Sequence, residues 1–222
     1  MNHKDDPELR EVDGTAGDWL AQRLHTSDTA IGRVVPSDYF AYARVFPPVV
    51  DGRGRRHRWS AYAAEAGFDV SAGTPWDAIA RRGDPEFGEP PMGSLDFLTA
   101  SALAGAVSLH TSTADSCFFA FWVGYAGIPV PTMTTAVFPP SRRMSIFRGS
   151  VFSASNSIGM PPGNRRAVRW WPEDHAWCVG ADIYSRSVLV GGSAKCIDTI
   201  LSNAEVEAYR VNDELRSELH AL

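Results

Sequence analysis

The segment Cys117-Phe118-Phe119-Ala120-Phe121-Trp122-Val123 constrains the fold of this chain more than any other stretch. Successive residues of a strand point to opposite sides, so Cys117, Phe119, Phe121 and Val123 share one face, and Phe118, Ala120 and Trp122 share the other. Both faces are apolar, and such a strand needs a layer over each side of its sheet. The same segment opens a run from Ser116 to Ser141 without a charged residue. Gly124, Gly127, Pro129, Pro131, Pro139 and Pro140 cut that run into pieces too short to span a bilayer as a helix. A buried strand followed by a packed loop is expected, and no membrane association.

Around this strand the pattern is that of one α+β domain with a mixed, mostly antiparallel sheet flanked by helices. Helices are expected over Asp18–His25, Trp59–Ala66, Pro75–Arg81 and Leu95–Leu109, the last with Ser94 as N-cap. Strands are expected over 39–46, Met144–Phe147, Ala167–Trp171, 176–183 and Ser187–Val190, and Ser193 caps a helix carrying Cys196, Ile197, Ile200 and Leu201. Phe119, Phe121, Val179, Ile183 and Leu189 are the expected core of the sheet. Residues 1–15 are expected to be a mobile tail and 16–222 the domain, with a charged, helix-compatible end from Asn212. At 222 residues and 44% hydrophobic, the chain has enough apolar side chain for a full core.

A net charge of −5 disfavours nucleic acid as a main partner. Cys117, Cys178 and Cys196 are odd in number and form no Cys-x-x-Cys pair, which fits a reducing cytoplasm rather than a disulfide framework. The first residues, MNHKDDPELREVDG, are acidic and polar, unlike a signal or transit peptide.

Four segments, VPSDYFAYARVFPPV (35–49), HTSTADSCFFAFW (110–122), RWWPEDHAWCVGADI (169–183) and VLVGGSAKCIDTIL (188–201), resemble a family of uncharacterised actinobacterial proteins. The Trp-Trp-Pro-x-Asp-x-x-Trp motif over Trp170–Trp177 is the most specific element, and the resemblance covers most of residues 17–205. It implies a cytosolic actinobacterial protein and no particular activity. Family members are expected to have His-Pro in place of Pro47–Pro48, and often Trp in place of Phe118 and Arg in place of His175. A looser likeness, in α+β character and acidic balance, is to immunity proteins of the SUKH type.

The chain has no Gly-x-Ser-x-Gly elbow, His-Glu-x-x-His or P-loop. His110 with Cys117, oriented by Asp115, is the one pair suited to nucleophilic catalysis, which makes a small hydrolase or transferase the alternative function. With His175 and Cys178 the same residues are a conceivable zinc quartet, but the spacing matches no familiar site, so no metal and no cofactor is expected. The Gly191-Gly192-Ser193 step reads as a tight turn with an N-cap. The basic clusters Arg53–Arg58, Arg142–Arg143 and Arg165–Arg169 read as solvated loops. The leading expectation is a non-catalytic protein that binds a protein partner or small ligand through its Trp-rich region. Trp170 and Trp171 cannot share one face of a strand, so at least one of Trp170, Trp171 and Trp177 is expected to line a groove beside Arg169 and Asp174, with Trp122 as a further candidate; the alternative is a core strand covered on both faces, as for 117–123. Arg44, inside an apolar strand, calls for a carboxylate, Asp174 or Asp182.

Overall fold

The computed structural model describes residues 8–27, 29, 31–80, 88–159 and 165–211. In chain order the elements are β1 (Arg10–Val12), α1 (Asp18–His25), β2 (Ala41–Phe46), β3 (Val49–Val50), β4 (Arg56–His57), α2 (Trp59–Glu65), α3 (Trp76–Ala80) and α4 (Phe97–Ser108). There follow β5 (Cys117–Trp122), β6 (Ala136–Phe138), β7 (Arg142–Gly149), β8 (Arg169–Pro172), β9 (Cys178–Gly180), β10 (Val188–Gly192), α5 (Ala194–Ser202) and β11 (Glu207–Val211). Nine strands form one sheet in the order β1-β7-β5-β8-β9-β10-β2-β11, with β6 sharing the outer edge of β7; β3 and β4 form a separate hairpin. Every registered pair is antiparallel. The fold class is therefore α+β, as expected. No helix among the described residues is long and apolar enough to cross a membrane.

β5 lies inside the sheet, between β7 and β8, where its two apolar faces require it to be. Phe119, Phe121, Val179, Ile183 and Leu189 are all buried. A satellite cluster of Phe46, Val49, Trp59, Tyr62, Trp76 and Ile79 joins the sheet at the end of β2, where Phe46 packs on Trp59 (4.5 Å between centroids) and on Tyr209 (5.6 Å).

Several boundaries differ from expectation. Arg10–Val12, assigned from sequence to a mobile tail, pair with Ile146–Arg148 as an edge strand. The N-cap of α4 is Asp96, not Ser94: its carboxylate accepts from Leu98 N (3.1 Å) and Thr99 N (3.2 Å), so the helix starts after it. A carboxylate at that end also meets the positive helix dipole. The strand expected over 176–183 pairs only over Cys178–Gly180, although Trp177, Ala181 and Ile183 are still buried. The Ser193 cap holds, its hydroxyl accepting from Cys196 N (3.2 Å). The expectation of a helical end from Asn212 lies outside the described residues.

Candidate functional site

Trp170 and Trp171 point to opposite faces of β8, and both faces are covered. Trp170 stacks on Phe119 (6.2 Å) and meets Trp177 edge-on (5.3 Å), while Trp171 packs on Phe118 (5.8 Å) and Phe138 (6.3 Å). Relative exposures of 4% for Trp170 and 0% for Trp171 and Trp177 overturn the expectation of a solvent-lined indole in this motif. Alternation was correct, but the second face is core as well. The acidic residues after the strand tie loops together. Asp174 accepts from Thr111 Oγ1 (2.8 Å), Ser112 N (2.7 Å) and Ser112 Oγ (2.8 Å). Burial pushes its carboxyl up, and these hydrogen bonds outweigh that and hold it below the ordinary carboxylate value. Glu173 accepts from Ser116 Oγ (2.7 Å) and Arg148 (3.0 Å).

Arg44 is buried without either expected carboxylate. Its Nε donates to Ser187 Oγ (2.7 Å), one terminal nitrogen donates to Ala72 O (2.8 Å), and the guanidinium lies over the Phe46 ring (4.9 Å). Arg169 is buried too, donating from Nε to Val34 O (3.1 Å) and lying over the Phe138 ring (5.5 Å). Neutral oxygens and ring faces satisfy both cations, at a desolvation cost that lowers their pKa values to about 10.

His110 and Cys117 have separate partners. His110 Nε2 lies 2.8 Å from Thr199 Oγ1, while the Cys117 thiol lies against the carbonyls of Thr113 (3.8 Å) and Ala114 (3.7 Å). Burial pushes the Cys117 thiol up to about 12, with Asp174 and Asp115 adding to it, and burial does the same to Cys178 and Cys196. A nucleophilic cysteine needs the opposite shift. We expect none of the three thiols to react with Ellman's reagent at pH 8 in the native protein, and all three to react in denaturant. One fast-reacting native thiol, assigned to Cys117 by Cys117→Ser, would restore the catalytic reading. His175 stacks on Trp19 (3.8 Å, 6°), and the Cys178 thiol lies 3.8 Å from Val179 O. Among the described residues no group of three or more His, Cys, Asp or Glu is placed to hold a metal ion.

Of the candidates named from sequence, Trp122 lines a pocket formed by the described residues. It ends β5 opposite Met144 of β7. Arg142, two residues earlier on β7, extends past the end of β5, and its guanidinium lies over the Trp122 ring (5.2 Å) and the Tyr184 ring (5.4 Å). Tyr125, in the turn after β5, meets Trp122 edge-on (4.8 Å, 81°) and carries Arg165 over its face (5.1 Å). The loop before α4 closes the site. Gly93 has a φ of 74°, and a Cβ there would fall 2.7 Å from Ile183 O and 2.8 Å from Tyr125 Oη, so only glycine fits. Its N–H donates to Ser185 O (2.8 Å), and Arg186 donates to Pro90 O (2.8 Å). Between these walls lies a pocket of about 300 Å³, floored by Leu95 and Ile183, with Trp122, Tyr125, Arg165 and Arg166 at its sides and Met92 and Tyr184 at its mouth.

The basic clusters read from sequence as solvated loops thus supply Arg165 and Arg166 to the lining of this pocket, Arg142 to the rings of Trp122 and Tyr184 that wall it, and Arg169 to the core. Arg166 Nε donates to Ser155 O (2.7 Å), and burial lowers the pKa of its guanidinium. A wider depression of about 770 Å³ runs between α4 and α5 over Ala102, Gly105 and Ala106. Its polar groups are engaged locally: Arg56 with Asp96, Thr199 with His110, and Asn203 with the Ala102 carbonyl (3.4 Å). Comparison of the chain with protein-family models, with curated proteins and with solved structures finds no match.

Proposed function

We propose that this chain is a non-catalytic binding protein that holds a small ligand in the pocket walled by Trp122, Tyr125 and Tyr184. The observation that carries the reading is the convergence of three aromatic rings, each backed by an arginine, on one concave site with an apolar floor. A few polar groups around an apolar cavity are what a small-molecule site requires, and 300 Å³ sits at the lower end of such sites. The Trp-rich motif enters this reading as the core behind the site rather than as the contact surface. A cytoplasmic, actinobacterial setting belongs with the reading, and the looser likeness to immunity proteins is compatible with a binding role.

A thermal-shift screen of small aromatic compounds tests it. Binders are expected to raise the melting temperature of the wild type and to have no effect on a folded Trp122→Ala variant. Hits that persist in Trp122→Ala, or a library without hits, would contradict the proposal.

A further inference from the structure

Resting on that pocket, we infer that its ligand is a flat aromatic anion, a ring of one or two fused cycles carrying a carboxylate or phosphate. The chain as a whole is acidic, with a net charge of −5, yet Arg142, Arg165 and Arg166 gather around this one cavity. Among the described residues, neither Arg142 nor Arg166 has a carboxylate within ion-pair distance, and the buried Arg142 Nε has no acceptor. The neighbouring acids have other partners. Asp96 pairs with Arg56 while capping α4 and favours the charged form of Arg166 only from beyond ion-pair distance, Glu89 pairs with Arg186, and Asp182 accepts from Tyr184 N (3.0 Å).

Cations held partly out of water without a directly paired counter-ion are unfavourable, and an arriving anion offsets that cost. Arg166 is the group placed to receive it. Ser155 O holds its Nε and the guanidinium lies over the Phe97 ring (5.8 Å), leaving the terminal nitrogens without a hydrogen bond among the described residues, and a guanidinium edge suits the paired oxygens of a carboxylate or phosphate. Arg142 acts from behind. With its guanidinium over Trp122 and Tyr184 it draws electron density from their faces, which favours an electron-rich ring stacked in the pocket. Leu95 and Ile183 below and Met92 at the mouth accept the apolar body of such a ring and offer nothing to a sugar or a polyamine.

Titration calorimetry with a matched set tests the inference: indole-3-acetate, its neutral amide, tryptamine as the cation, and phenyl phosphate. We expect the acetate to bind at least about ten-fold more tightly than the amide, about 1.4 kcal/mol, and tryptamine to bind most weakly. Phenyl phosphate decides whether carboxylate or phosphate is preferred. Arg166→Gln should remove the difference between acid and amide while leaving ring binding that Trp122→Ala abolishes; Arg165→Gln takes its place should Arg166→Gln fail to fold. Equal binding of acid and amide overturns the anion inference and leaves the pocket reading standing, as do screen hits that are all neutral or cationic. If no compound of any charge binds, the pocket reading falls and this inference falls with it.

Discussion

Replacing Trp171 with alanine is expected to lower the unfolding free energy by about 3–5 kcal/mol, the range for deleting a buried aromatic side chain. Trp171 is fully buried, and its ring is held by Phe118 on the adjacent strand and by Phe138 across the face. Neither partner can follow the backbone of β8 into the space, because β8 is pinned between β5 and β9. The cavity therefore stays largely open, and its cost adds to the lost transfer energy of the indole. The Trp171 indole N–H is buried without an acceptor. Trp171→Phe keeps a ring and removes that N–H, so it is expected to cost less than the alanine change. Urea denaturation of the two variants checks both values. A Trp171→Ala midpoint equal to that of the wild type would mean that Trp171 is a surface residue and would return the Trp-rich motif to the list of contact surfaces.

Glu207→Ala is expected to cost about 3 kcal/mol, from two charge-assisted hydrogen bonds lost at once. The Glu207 carboxylate, buried at the start of β11, accepts from Trp59 N (2.6 Å) and Ser60 N (2.8 Å). These are the first N–H groups of α2, whose own N-cap, Arg58, supplies no side-chain acceptor. Glu207 therefore performs from a distant strand the task that Ser or Asp performs at a local cap, and its charge meets the positive end of the helix. Glu207→Gln keeps one acceptor oxygen and should recover about half of the loss. Thermal unfolding with a circular-dichroism readout gives both numbers. A change below about 0.5 kcal/mol for Glu207→Ala would show that α2 is held by Trp59 and Trp76 packing alone.

The sequence carried the centre of the fold and little of its rim. β5 is apolar on both faces, and that alone places it inside a covered sheet. The α4 and α5 helices follow from apolar spacing and, for α5, from the Ser193 cap. Among the strands that escaped notice, the short β3, β4 and β6 lie in segments that read as loops, and β1 and β11 are the two ends of the sheet, carrying Arg10, Glu11, Glu207 and Arg210. Edge strands tolerate and favour charge, which erases the alternation that marks a central strand. For Trp170 and Trp171 alternation alone does not choose between an exposed ring and a strand covered on both faces; β8 pairs with β5 and shares its two covered faces, so both rings are core. Arg44 was assigned a carboxylate because a buried cation demands a partner, yet a serine hydroxyl, a backbone carbonyl and a phenyl face fill that place.

The pocket was hardly legible at all. Trp122, Arg142, Arg165 and Tyr184 lie on four separated segments, and only the β5–β7 register and the turn after β9 bring them together. Nothing local marks them: each arginine sits in what reads as a polar loop, and Tyr125 sits in a run of glycines and prolines. The one available signal was Trp122 at the end of an otherwise buried strand, where the chain turns into a loop without a charged residue.

The most direct measurement is fluorine NMR of the protein labelled with fluorotryptophan, titrated with a compound that raises its melting temperature. The seven tryptophans give separate reporters, and Trp122→Phe identifies the signal of Trp122. The Trp122 signal is expected to move most, with those of Trp170, Trp171 and Trp177 nearly fixed in the core. Movement of the Trp170, Trp171 or Trp177 signals while that of Trp122 stays in place would contradict a binding site at the end of β5.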